Sequence, residues 1–172
     1  MKLASSPDEL ESFCSEAAKF AEYIAIDTEF VRQNTYYAKV CLIQIAFKTS
    51  NKKKILLIDP LEKGVNLEPL KKLLRNKNTL KIMHAGRQDL EIFLNLFNFL
   101  PCPFFDTQIA AMVCGMGEQE GYESLVRNLL GHQVNKEFQF TNWGKRPLSN
   151  EQIKYATEDV TYLCDVYEVL RN

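Results

Sequence analysis

Histidine is the scarcest chemistry-bearing residue in this chain: only His84 and His132 occur, and no H-E-x-x-H pair joins them. A His-based zinc centre is therefore not expected. Cysteine supplies no substitute, since Cys14, Cys41, Cys102, Cys114 and Cys164 are odd in number, widely spaced and free of any C-x-x-C pair. They read as mostly buried, reduced thiols and point to a reducing, cytoplasmic compartment. No apolar run approaches the roughly 20 residues of a membrane span, and the first residues show no long apolar stretch of the secretory kind. The motifs G-x-S-x-G, G-x-x-x-x-G-K-[ST] and G-x-G-x-x-G are missing; Gly115, Gly117 and Gly121 miss the last spacing. Serine hydrolases, P-loop enzymes and dinucleotide-binding enzymes lose their usual support. An excess of one charge is lacking too: 21 Lys+Arg against 22 Asp+Glu leave a formal charge of −1. That excludes a bulk polycation, though not a local basic patch.

What is present is ordinary globular material, with 46% hydrophobic and 25% charged residues in a chain of 172. A length of this order suits one domain that folds without staples. Ser6-Pro7-Asp8-Glu9 reads as a capping box opening a helix with Leu10, Phe13, Cys14, Ala17 and Ala18 on one face. Strands are expected at Tyr23–Phe30, Val40–Phe47 and Ile55–Ile58, joined by loops short enough for antiparallel hairpins. Strand and helix then alternate: a helix near Leu67–Arg75, a strand at Thr79–His84, a helix near Arg87–Phe97 and a short strand near Phe104–Asp106. Helices follow Thr107 and Gly121, the latter stopping near Gly131. A last helix starts at the capping-box pattern Ser149-Asn150-Glu151-Gln152, with Ile153, Ala156, Val160, Leu163, Tyr167 and Leu170 on one face. The fold class is α/β, a central mixed sheet flanked by helices.

Residues two apart on a strand share a face, so Asp27 and Glu29 in Ile24-Ala25-Ile26-Asp27-Thr28-Glu29-Phe30 project together. Two carboxylates closing an apolar strand repel one another unless a cation sits between them, and hard oxygen ligands suit Mg²⁺ or Mn²⁺. The alternative is a strand that has ended, with both acids solvated. In the last helix Tyr155 and Asp159 stand four apart, about 6 Å along the axis, on a line just beside the apolar seam. Asp89 follows a strand end through Gly86 into the first turn of a helix, where the dipole favours an acid in any case.

The combination says more than its parts. Asp27-Thr28-Glu29-Phe30, His84-Ala85-Gly86-x-x-Asp89 and Tyr155-Ala156-x-x-Asp159, in this order, resemble the three exonuclease motifs of the DEDD superfamily, Tyr-type branch. Thr35-Tyr36-Tyr37, Leu42-Ile43-Gln44, Ile58-Asp59-Pro60-Leu61, Phe105-Asp106-Thr107-Gln108-Ile109 and Trp143-x-x-Arg146-Pro147-Leu148 resemble bacterial ribonuclease D in particular. The resemblance implies a ribonuclease-H-like fold and 3′→5′ hydrolysis of RNA that releases 5′-mononucleotides. It implies Asp27, Glu29, Asp89 and Asp159 as holders of two divalent ions, Mg²⁺ or Mn²⁺, with Tyr155 orienting the attacking water. The expected partners are single-stranded RNA 3′ ends such as those of tRNA precursors, handled by a monomer with no membrane role. The expected organisation is a single exonuclease domain over residues 1–172, without the helical HRDC domains that usually follow in ribonuclease D proteins. A DNA 3′→5′ exonuclease, a short-oligonucleotide nuclease and a non-catalytic nucleic-acid-binding module are the alternatives.

Candidate substrate contacts are less sharply drawn. Phe30 offers a ring to a terminal base, or else belongs to the core. His84 is placed to touch the terminal nucleotide, or else is a satisfied structural histidine. Lys136 and Arg146 suit phosphates, and Trp143 suits either a base or an anchoring role in the core. Ribonuclease D proteins usually carry Asp directly before this Trp and a basic residue two positions earlier; here Asn142 and Phe140 stand in those places. Asp106 reads as a helix-capping carboxylate or a support for the metal site. Lys52–Lys54 and Lys71, Lys72, Arg75, Lys77 and Lys81 form basic clusters whose default is a solvated face.

Overall fold

A strand that is apolar on both sides demands cover on both faces, and Tyr23–Val31 (β1) is such a strand until it reaches its acids. In the computed structural model, which describes residues 7–33, 35–50 and 52–172, β1 lies at the centre of a five-stranded sheet. Lys39–Lys48 (β2) pairs antiparallel with β1, and Lys53–Ile58 (β3) antiparallel with β2. Leu80–Met83 (β4) lies parallel to β1 on its other side, and Phe104–Asp106 (β5) parallel to β4, giving the order β3-β2-β1-β4-β5. The sheet is mixed, as the hairpin-then-alternation pattern predicts, and the predicted strands are all present.

The period of two sorts the two cores. Ile24 and Ile26 of β1, with Ile43, Ile45, Leu56 and Ile58 of the next two strands, face one layer of helices. That layer is Pro7–Phe20 (α1), Glu68–Arg75 (α2) and Arg87–Phe97 (α3), which contribute Leu10, Cys14 and Ala17, then Leu70, Leu73 and Leu74, then Phe93 and Phe97. Ser6, the expected cap of α1, lies outside the described residues. Tyr23 and Ala25 of β1 and Ala46 of β2 face the opposite way, onto Val160, Leu163, Cys164 and Tyr167 of Asn150–Leu170 (α6). Thr107–Val113 (α4) and Tyr122–Leu130 (α5) pack beside α6 through Ala111, Leu125, Val126 and Val166.

The capping box of α6 forms as its sequence predicts: Gln152 N donates to Ser149 Oγ at 3.2 Å, and Ser149 N donates to Gln152 Oε1 at 3.0 Å. Cys14, Cys41 and Cys164 are buried, Cys102 and Cys114 are exposed, and all five are free. No helix among the described residues is long and apolar enough to cross a membrane. Part of the basic clusters is held in internal pairings. Lys54 meets Glu16 at 2.5 Å, Lys71 meets Glu68 at 3.0 Å, and Lys53 pairs with Asp165. Lys81 is not a surface residue at all: it is 0% exposed and donates to the carbonyls of Asn76 at 2.6 Å and Cys102 at 3.1 Å. Burial lowers its pKa to about 8.

Candidate active site

Asp27 and Glu29 continue the face of β1 that Tyr23 and Ala25 press onto α6, so the apolar half of the strand fixes where its acids point. On α6 the buried seam through Ala156, Val160 and Leu163 sets the helix's rotation and turns Tyr155 and Asp159 toward the end of β1. One carboxylate oxygen from each of Asp27, Glu29 and Asp159 lies within 4.8 Å of the others. Asp89 arrives from the opposite layer. Thr28, on the other face of β1, donates from Oγ1 to Asp89 Oδ1 at 2.5 Å and holds it beside the trio rather than within it.

The turn that delivers Asp89 is tightly specified. Ala85 has a left-handed φ of 50°, and a Cβ on Gly86 would stand 2.7 Å from Met83 Cβ. Asp106 accepts from the backbone N–H groups of Ala85 and Gly86, each at 3.0 Å, and from Gln108 N at 2.9 Å. It therefore caps α4 and pins the β4–α3 turn with one carboxylate.

Electrostatically this cluster is unstable as a set of anions. Burial first, then the neighbouring acids, pushes the pKa of Asp27 well above the carboxylate range and that of Glu29 up to about 10. Burial raises Asp159 to about 7 and Asp89 to about 6, although hydrogen bonds from Tyr155 and Thr28 pull the other way. Asp159 Oδ1 is buried without a protein hydrogen-bond partner. A converging, oxygen-only donor set with a free lone pair fits a hard divalent cation, which would restore the charged form of each acid. Two dications would balance all four carboxylates.

These groups sit in a cavity of about 710 Å³ between the end of the sheet and the 131–144 segment. Tyr155 lines it, and burial with the adjacent acids holds its phenol firmly protonated. Trp143 is 1% exposed and packs its ring 6.0 Å from that of Tyr155, so it buttresses the tyrosine from the core side. Phe30 lines the cavity with Glu29. The β1–β2 register slips by one between them, Glu29 opposing Leu42 and Phe30 opposing Val40, with Cys41 of β2 as the extra residue of a bulge. His84 lines it too; Thr107 Oγ1 donates to Met83 O at 3.2 Å, so the 3.0 Å contact with His84 Nδ1 is a bond from the ring N–H. Burial lowers the histidine's pKa and keeps it neutral. Lys136 reaches the rim, paired with Glu123 at 3.0 Å.

Arg146 corrects the sequence expectation. It does not line the cavity. Its guanidinium clamps Asp59 through Nε at 2.5 Å and Nη2 at 2.7 Å, and donates to the carbonyls of Cys41, Trp143 and Lys145 at 2.6–2.8 Å. A planar fork with all its edges used inside the protein has nothing left for a phosphate.

Two residues escape sequence reasoning. Tyr122 donates its hydroxyl to the backbone carbonyl of Asp159 and sets its ring 5.3 Å from that of His84, tying α5 to the turn of α6 that carries Asp159. Gln44 stands opposite Asp27 in register, is 0% exposed, and has no protein partner for either amide atom. An amide in the otherwise apolar run Leu42-Ile43-Gln44-Ile45-Ala46 was the available signal for Gln44. Tyr122 gave none, because its contact spans 37 residues.

A mixed sheet with an acidic cluster toward the carboxyl end of its central strand defines an α/β nuclease-like domain with a candidate site for a divalent cation. A family model described as 3′-5′ exonuclease matches residues 1–172, and the chain belongs to that family. Within it, the chain is 50% identical over 163 residues to the ribonuclease D of Jannaschia sp. (strain CCS1), covering 95% of this chain and 42% of that protein. The crystal structure of Escherichia coli RNase D, described as an exoribonuclease involved in structured RNA processing, superposes with a TM-score of 0.90 at 40% identity. That match covers 99% of this chain and 44% of the other. Brucella melitensis NrnC bound to pGG gives a TM-score of 0.72 at 30% identity, over 88% of this chain and 72% of that one; NrnC has also been solved with bound Mg²⁺. The chain spans less than half the length of the curated relatives it matches.

Proposed function

We propose that this chain forms the catalytic unit of a divalent-metal-dependent 3′→5′ exoribonuclease that trims single-stranded 3′ ends, such as those of tRNA precursors, in the cytoplasm. The observation that carries the reading is the convergence of Asp27, Glu29 and Asp159 within 4.8 Å, with Asp89 alongside, in a cavity at the end of β1. Asp27, Glu29, Asp89 and Asp159 would hold two ions, Mg²⁺ or Mn²⁺. Bound there, the ions would stabilise charge on the attacking and leaving oxygens of phosphodiester cleavage.

The protein's own groups supply position. Tyr155 orients the attacking water by hydrogen bond; a phenol held protonated by burial is no general base. Trp143 fixes the tyrosine's ring, and Tyr122 fixes the backbone of Asp159. Phe30 and His84 line the cavity and suit the terminal nucleoside, while Lys136 at the rim is engaged by Glu123 and would have to leave it to meet a phosphate farther along. RNA as substrate is supported by the similarity to ribonuclease D.

A second reading, a nuclease for very short oligonucleotides, is favoured by the similarity to NrnC bound to pGG. Both are tested with 5′-labelled single-stranded RNA, DNA of the same sequence and an RNA dinucleotide, each in Mg²⁺, Mn²⁺ or EDTA. The proposal expects a ladder receding from the RNA 3′ end in metal and none in EDTA. Faster turnover of the dinucleotide supports the second reading, and binding without shortening in either metal overturns both.

A further inference from the structure

Phe140 is the most exposed large apolar side chain described, at 91%, and it lies on the rim of the catalytic cavity. Its position is not that of a loose loop tip. On one side Gln139 N bonds Lys136 O at 3.1 Å. On the other, Thr141 is held twice, its N–H and Oγ1 both donating to Phe138 O, while Gln152 of the α6 capping box donates to Thr141 Oγ1 at 3.1 Å. Two residues farther on, Trp143 is buried against Tyr155. The ring is thus displayed by backbone anchored to the same helix that carries Tyr155 and Asp159.

The rim's charges leave a task for such a ring. Among the described residues, the cavity lining holds two permanent cations, and both already face carboxylates: Lys136 with Glu123 at 3.0 Å and Arg32 with Glu91 at 3.4 Å. The cavity floor is acidic. A polyanionic strand entering here meets little free positive charge outside the metal site, whereas every base offers a π-face to an exposed aromatic ring.

We infer that Phe140 is a base-stacking platform that holds a nucleotide upstream of the terminal one, making the site prefer single-stranded oligonucleotides longer than two residues. This rests on the reading that the cavity receives the 3′ end of a strand. Stacking at this point replaces phosphate neutralisation, so its contribution changes little with salt.

The test compares the wild type with Phe140→Ala and Phe140→Trp on an RNA octamer and an RNA dinucleotide in Mn²⁺. Phe140→Ala is expected to raise KM for the octamer about 10-fold with kcat preserved. KM for the dinucleotide should move less than about 2-fold, and Phe140→Trp should restore octamer KM. An unchanged octamer KM overturns the inference, as does an equal rise on both substrates. If the wild type cleaves nothing, the proposed activity fails, and the inference is decided by binding instead. A 2-aminopurine base walked through the octamer should be quenched at one internal position by the wild type and not by Phe140→Ala; quenching that survives the substitution, or none at any position, overturns it.

Discussion

Tyr155 shows how a single side chain can be specified twice. Its ring is placed by Trp143, 6.0 Å away, and its hydroxyl by Asp159 one helical turn on. Removing only the hydroxyl should leave the packing intact and lose the orientation of water. Tyr155→Phe is expected to lower kcat about 100-fold while RNA affinity stays within about 2-fold, read from single-turnover cleavage beside equilibrium binding. Unchanged turnover removes the tyrosine from the mechanism. At this scale the strand period set Asp27 and Glu29 on one face and the helix period aligned Tyr155 with Asp159, while Asp89 joined them only through the resemblance of the motifs as a set. Arg146 was misread as a phosphate ligand, because whether a guanidinium is free depends on Asp59, 87 residues away, and on three carbonyls that no spacing rule brings together.

Arg146 matters instead to how elements are joined. Its clamp ties the segment before α6 to the end of β3 through Asp59, whose side chain is buried, and to β2 through Cys41 O. Arg146→Ala strands that buried carboxylate and is expected to cost about 3 kcal/mol. For a chain of this size that lowers Tm by roughly 6–12 °C, measured by thermal unfolding; a Tm within about 2 °C of wild type contradicts the assignment. The elements themselves were readable almost to the residue. The α3 and β5 bounds match expectation, and the α6 capping box forms in full. What the sequence did not disclose is the bulge between β1 and β2, where Cys41 falls between the partners of Glu29 and Phe30.

For the molecule as a whole, the acids of β1, α3 and α6 make folding and cation binding one problem. Their folded pKa values are raised, to about 6 for Asp89, about 7 for Asp159 and about 10 for Glu29, against roughly 4 in the unfolded chain. The native state then binds more protons than the unfolded state between those limits. The associated stability is present below the unfolded value and is lost as pH rises through the folded values. In EDTA, Tm is expected to fall between about pH 5 and pH 8, and Mn²⁺ should flatten that slope by taking the protons' place. A slope that is the same with and without metal, or that rises in EDTA, contradicts this account.

The central claim is that Asp27, Glu29, Asp89 and Asp159 are assembled for divalent cations, and calorimetric titration of Mn²⁺ into the metal-free protein tests it without reference to any substrate. The wild type should bind Mn²⁺ at neutral pH with release of protons from the raised carboxyls, and Asp27→Asn should lose that binding while remaining folded. Wild-type protein that takes up no Mn²⁺, or an Asp27→Asn variant that binds it as tightly with the same proton release, would contradict the claim.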